Sequence, residues 1–191
     1  MGTASAMAVT ARKSYRDKIV LVGLMGAGKT AVGRRLAAQL ELPFIDADAE
    51  IEQAAGMAVR DIFDAYGEAA FRDLERRVVA RLLAEDGPRV IALGGGAFVD
   101  PQTRDDVRAH AVSLWLRADS DTLLRRCLRR KGSRPLLETG DPLTTLENLM
   151  RAREPAYSQA DLVVDSTSEP IEDVVARALS AVTGFRQVAA S

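Results

Sequence analysis

The chain has 191 residues, 47% of them apolar and 28% charged, with 26 basic residues set against 27 acidic ones. That length suits one domain around one core, and the near-neutral balance supplies no general attraction to nucleic acid or to an anionic membrane surface. The single cysteine, Cys127, excludes an intrachain disulfide and any multi-cysteine metal site, and no run approaches the roughly eighteen apolar residues that a bilayer span needs, so a cytoplasmic protein is expected.

Residues 1–17 are rich in Ala, Ser and Thr without a period and read as a flexible N-terminal arm; residues 18–191 read as one domain. From Ile19 onward, short apolar runs at 19–22, 43–45, 90–93, 112–116 and 162–164 alternate with helical patterns near 29–40, 49–55, 59–65, 68–86, 101–109, 119–130, 142–159 and 170–182. This rhythm predicts an α/β fold, a parallel sheet with helices on both faces. Val78, Val79, Leu82 and Leu83 have the spacing of one buried helical stripe. The stretch 131–141 carries Gly132, Pro135 and Gly140 beside Arg134 and reads as an excursion from the core. Pro155 is expected to kink or interrupt its helix. Arg125-Arg126 and Arg129-Arg130-Lys131 read as solvated helix faces, Cys127 as helix packing, His110 as surface and Trp115 as core.

Chemistry is concentrated at the ends of the predicted strands. Gly23-Leu24-Met25-Gly26-Ala27-Gly28-Lys29-Thr30 follows the first strand and opens a helix, which is the pattern G-x-x-x-x-G-K-[ST] in the context that gives it meaning. The glycines let successive N–H groups turn towards one anion, and the helix adds its positive dipole end. Lys29 would reach the β- and γ-phosphates of a nucleotide, and the Thr30 hydroxyl would ligate Mg²⁺. Asp46 and Asp48 end the second strand two residues apart, so an extended backbone would turn both carboxylates to the same side. One could take a proton from an acceptor hydroxyl while the other helps to fix the metal.

Arg72 and Glu75, three apart on a helix, can pair. Gly94-Gly95-Gly96 follows the third strand, and three consecutive glycines are entropically costly unless something must approach the backbone closely. An arginine fork beside such a wall suits a compact acid with polar groups. Arg134, in the excursion, suits a lid that excludes water and stabilises charge on the moving phosphoryl group.

In this order the motifs resemble the shikimate kinase family: the loop 23–30, Asp46-Ala47-Asp48 as D-x-D, Phe71-Arg72 with Glu75 as F-R-x-x-E, Gly94–Gly96 as the glycine triplet, Arg134-Pro135-Leu136-Leu137 as R-P-L-L, and Arg153-x-Pro155-x-Tyr157 as R-x-P-x-Y. The resemblance implies a three-layer P-loop NTPase fold with a five-stranded parallel sheet in the order 2-3-1-4-5, a mobile lid at about 131–141 and a substrate-binding region at about 48–86. It implies transfer of the γ-phosphoryl group of ATP to the 3-hydroxyl of shikimate, with Mg²⁺, by a protein expected to be a monomer. By the same resemblance Gly26, Ala27, Gly28, Lys29, Thr30, Ala31, Arg130 and Arg134 serve the nucleotide, and Thr30 and Asp46 the metal. Asp48, Arg72, Glu75, Gly94, Gly95, Gly96 and Arg153 serve the substrate, with Asp48, Lys29 and Arg134 catalytic. The alternatives are a gluconate-type kinase, a family member that only binds nucleotide, and a nucleotide-dependent switch. A guanine-nucleotide switch is disfavoured, because the N-K-x-D signature is missing and Asn148 is the only asparagine.

Overall fold

The computed structural model describes residues 17–129, 140–167 and 170–190. Five strands, β1 (Lys18–Val22), β2 (Phe44–Asp46), β3 (Arg89–Ala92), β4 (Val112–Arg117) and β5 (Leu162–Asp165), form one parallel sheet in the order β2-β3-β1-β4-β5, as expected. The helices are α1 (Lys29–Gln39), α2 (Ala47–Ala55), α3 (Val59–Ala84), α4 (Pro101–His110), α5 (Ser120–Arg129), α6 (Pro142–Tyr157) and α7 (Ile171–Ala190), with a 3₁₀ turn at Ala97–Val99. Right-handed crossovers along this strand order put α1 on one face of the sheet and the connections through α3, α4 and α5–α6 on the other. The contacts agree: α7 returns to α1 and β5, α3 packs on α4, and α5 on α6.

β1 lies in the centre, where Ile19, Val20 and Leu21 have no exposed surface. A strand paired on both edges and covered on both faces has no solvent side, which is why it reads as a continuous apolar run rather than an alternating one. The chain leaves β1 towards β2 and leaves β3 in the opposite direction towards β4. Their loops therefore diverge and open a crevice beyond the carboxyl ends of these two neighbouring strands. Gly23–Gly28 forms one lip of it and Gly94–Gly96 the other.

Three elements depart from expectation. The helices expected at 59–65 and 68–86 run on as α3, broken only at Gly67, whose φ of 79° and ψ of 173° are not helical. α7 continues to Ala190 rather than stopping near 182. Gly184 costs a helix only about 1 kcal/mol, and Arg186 in the extension donates to the Asp17 carbonyl at 3.0 Å. Pro155 does not interrupt α6; it falls in the last turn, and the helix ends two residues later at Tyr157. The arm at 1–17, apart from Asp17, and the lid at 131–141, apart from Gly140 and Asp141, lie outside the described residues. Among the described residues no helix is long and apolar enough to cross a membrane.

Candidate active site

The start of α1 differs from those of α2, α4 and α6. α2, α4 and α6 are capped by the carboxylates of Asp46, Asp100 and Asp141. α1 has Gly28 at its cap position, in a left-handed conformation with φ 95°, no side-chain cap and no acidic residue in its first turn. Its first N–H groups and its positive dipole end are left for an external anion. The loop in front of it rests directly on α5: a Cβ on Gly26 would lie 2.8 Å from the Leu123 carbonyl oxygen and 3.0 Å from Cys127 Sγ. Cys127 is thus buried packing, as expected, and what it packs against is the loop. Lys29 folds over the loop, donating from Nζ to the carbonyls of Gly23 at 2.8 Å and Leu24 at 3.1 Å.

Beside the loop, Thr30 Oγ1 donates to Asp46 Oδ2 at 2.9 Å. Asp46 Oδ1 accepts from the Asp48 N–H at 3.2 Å, which makes Asp46 the N-cap of α2. The expected extended Asp46–Asp48 pair is therefore corrected. Strand β2 ends at Asp46, and Asp48 stands in the first turn of a helix, yet both side chains line the same cleft. Asp48 is open to solvent through the cleft mouth, while the surrounding walls and the neighbouring charge of Asp46 push its carboxyl above the usual range, against the pull of Lys29 and Arg72.

Across the cleft, Arg72 Nη1 donates to Glu75 Oε2 at 2.7 Å, and Nη2 reaches Glu68 Oε1 at 3.2 Å. The spacing of Arg72 and Glu75 resembles that of a surface pair, but Glu75 is only 3% exposed. Burial raises the Glu75 carboxyl against the hydrogen bond and charge of Arg72. The triplet makes room for these groups. A Cβ on Gly94 would lie 2.7 Å from Asp48 Oδ1 and 2.8 Å from Glu75 Oε1; one on Gly96 would lie 2.5 Å from Arg72 Nη1. The carbonyl of Gly95 accepts from Arg153 Nη1 at 2.8 Å and from the Tyr157 hydroxyl.

Several contributors escaped the sequence reading. Arg126, expected on a solvated face, turns into the cleft, donating from Nη1 to Ser166 Oγ at 2.9 Å and from Nη2 to the Thr167 carbonyl. Ser166 Oγ donates in turn to the Ala27 carbonyl of the loop at 2.9 Å. Phe63 and Phe71, with ring centroids 4.4 Å apart, and Val59 give the cleft an apolar wall. Only the spacing of Val59, Ile62 and Phe63 marked a helical stripe, with nothing to show that it faced a ligand. Arg130 and Arg134 lie outside the described residues. His110 ends α4 at the surface and Trp115 is in the core, as expected.

The cleft has a volume of about 540 Å³, within the range of small-molecule sites. An uncapped helix start and glycine loop at one lip, a carboxylate at the base and arginines opposite, all on a β2-β3-β1-β4-β5 sheet, define a P-loop kinase of small molecules. The shikimate kinase family model matches residues 25–183. The shikimate kinase of Bradyrhizobium diazoefficiens is 55% identical over 157 residues, 82% of this chain and 75% of that protein. That of Paramagnetospirillum magneticum is 56% identical over 162 residues, 84% and 82% of the two chains. A solved structure of Acinetobacter baumannii shikimate kinase in complex with shikimate superposes with a TM-score of 0.83 at 34% identity, covering 88% of this chain and 93% of that one. This chain belongs to the shikimate kinase family. It is an ATP-dependent phosphotransferase, and the gluconate-type and nucleotide-switch alternatives are set aside.

Proposed function

We propose that the cleft transfers the γ-phosphoryl group of ATP to the 3-hydroxyl of shikimate, and that the residues described above divide the work between donor and acceptor. The observation that carries this division is that Asp48 and the uncapped start of α1 face one cleft, with Arg72 and Arg153 on its far side. The α1 N–H groups and the loop 26–31 hold the polyphosphate, Lys29 exchanging its loop carbonyls for phosphate oxygens. Arg126, whose partners here are carbonyl and hydroxyl oxygens, adds positive charge beside them. Arg72 and Arg153 take the substrate carboxylate, Glu75 holds Arg72 in place, and Phe63, Phe71 and Val59 cover the ring's apolar face.

The attacking hydroxyl gives its proton to Asp48 as its oxygen bonds to the γ-phosphorus; the bond from that phosphorus to the bridging oxygen breaks, and ADP departs with the electron pair. Thr30 and Asp46 fit Mg²⁺: they present adjacent hard oxygen atoms, and such an ion typically takes one or two protein oxygens with phosphates and waters completing its shell. When bound, the ion neutralises charge on the phosphates. We infer a monomer, and dependence on ATP together with a single cysteine suits the cytoplasm.

A coupled assay of ADP release with shikimate and with gluconate tests the reaction, with the product's phosphate located by NMR. Release stimulated by gluconate but not by shikimate would reject it. Arg153→Ala should lower kcat/KM for shikimate about 10- to 100-fold, since a hydrogen bond to a charged group contributes about 1.5–3 kcal/mol, and leave the KM for ATP unchanged. Gly96→Ala should act similarly without touching a polar group, because its methyl would displace the Arg72 guanidinium. An unaltered shikimate KM in that variant would show that Arg72 does not grip the acid from this position.

A further inference from the structure

Tyr157 takes no part in the division of work above, yet it is among the largest wholly buried side chains, at 1% exposure, and its hydroxyl ends at the cleft wall. Its ring lies 5.8 Å from that of Trp115 on β4. β4 pairs directly with β1, Val22 opposite Trp115, so the phenol is anchored to the rigid centre of the sheet. Burial keeps the phenol's pKa raised against the charge and direct hydrogen bond of Arg153, and the hydroxyl remains a donor. Its acceptor is the Gly95 carbonyl, which also takes Arg153 Nη1.

We propose that Tyr157 is a positioning residue for acid recognition: it fixes the Gly95 carbonyl, and that carbonyl fixes the Arg153 guanidinium. The inference rests on the reading of Arg153 as a carboxylate-binding group. Two facts favour it over simple packing. The Gly95–Gly96 peptide has no side chain on either side and so little intrinsic preference for one orientation, whereas a buried phenol with two χ angles is a stiff reference point. An arginine, in contrast, has many rotamers to lose, and Arg153 is here tied to an acceptor whose direction the phenol sets. Because the peptide is planar, directing the Gly95 carbonyl at α6 also points the Gly96 N–H away from α6. Arg153 and Tyr157, four residues apart, share one face of the last turns of α6; Pro155 between them ends the helix just past the tyrosine.

The test is Tyr157→Phe in the full chain, which deletes one oxygen and keeps the ring. The KM for shikimate should rise roughly 3- to 10-fold, the loss of one hydrogen bond of about 1 kcal/mol, while the KM for ATP stays constant. The effect should vanish when the amide of shikimate, which lacks the negative charge, replaces the acid. Combined with Arg153→Ala the two losses should be less than additive, since the tyrosine acts through the arginine. An unchanged shikimate KM, a parallel rise in the ATP KM, an equal effect on the amide, or full additivity would each overturn the proposal. If instead Arg153→Ala alone leaves the shikimate KM unaltered, the underlying reading of Arg153 fails first, so the two failures are distinct. Near-ultraviolet circular dichroism of Trp115, the only tryptophan, confirms that the variant compared is folded.

Discussion

Asp48→Asn should lower kcat about 10²- to 10⁴-fold, the usual range for removing a general base, with ATP affinity retained. The amide keeps the size and an acceptor oxygen of the carboxylate but cannot take the proton of the attacking hydroxyl. The nucleotide loop is held by its own backbone bond from the Ala27 N–H to the Leu24 carbonyl and by Ser166, neither of which involves Asp48, so binding of ATP survives. Loss of ATP binding would assign Asp48 to the nucleotide instead. The pH dependence gives a second, independent reading. Burial and Asp46 raise the Asp48 carboxyl, so the wild-type rate should fall on the acid side at a pH above the ordinary aspartate range, and that limb should be missing from the residual activity of the variant. Stability should move the opposite way. A carboxyl whose folded-state pKa is raised favours folding only while protonated, and that advantage is lost as the pH rises through the raised value. At neutral pH the ionised Asp48 therefore opposes folding, and Asp48→Asn should melt higher than wild type, with the difference shrinking as the pH falls. A variant that melts lower at neutral pH would place a stabilising contact on Asp48.

How much of this was legible in the sequence depends on the distance over which each residue acts. The loop 23–30 is local: strand, glycines, lysine and helix are consecutive, so its chemistry and position could be read together. The Arg72–Glu75 pair is local too, one helical turn apart, but its burial was not, because what buries Glu75 is the wall at Gly94. Asp46 and Asp48 were recognised for the right chemistry on the wrong backbone. A helix that starts two residues earlier, at Ala47 rather than 49, turns a strand alternation into a cap and a first-turn side chain, and tertiary placement still brings both to the cleft. Arg126 and Tyr157 were missed as site residues because their partners, Ser166 and Gly95, are 40 and 62 residues away. No spacing rule reaches that far. On the sequence alone Arg126 is one of a run of basic residues, and only the packing of α5 under the loop separates it from Arg125.

Arg72→Ala should have the largest effect on stability, and the reason lies in its partner. Glu75 is buried against Gly94, and among the described residues Arg72 alone gives it a close cationic partner, with Arg153 helping at longer range. Removing Arg72 leaves a carboxylate without its counter-charge in a site that already disfavours ionisation. Breaking a buried pair in this way costs about 3–5 kcal/mol, and the side-chain exposure of 33% on Arg72 argues for about 3 kcal/mol here. The loss should depend on pH in a defined sense. The Glu75 pKa rises further once Arg72 is gone, so the variant suffers most at neutral and higher pH, where Glu75 must ionise or bind a proton, and least in acid, where it is protonated in either state. Glu75→Gln on the Arg72→Ala background should therefore restore much of the melting temperature while the KM for shikimate stays high, because the amide needs no counter-charge but cannot replace the arginine's grip. That separation is the informative result. If the double variant recovers neither stability nor binding, Arg72 is a packing element of α3. If it recovers both, the acid is held by Arg153 without it.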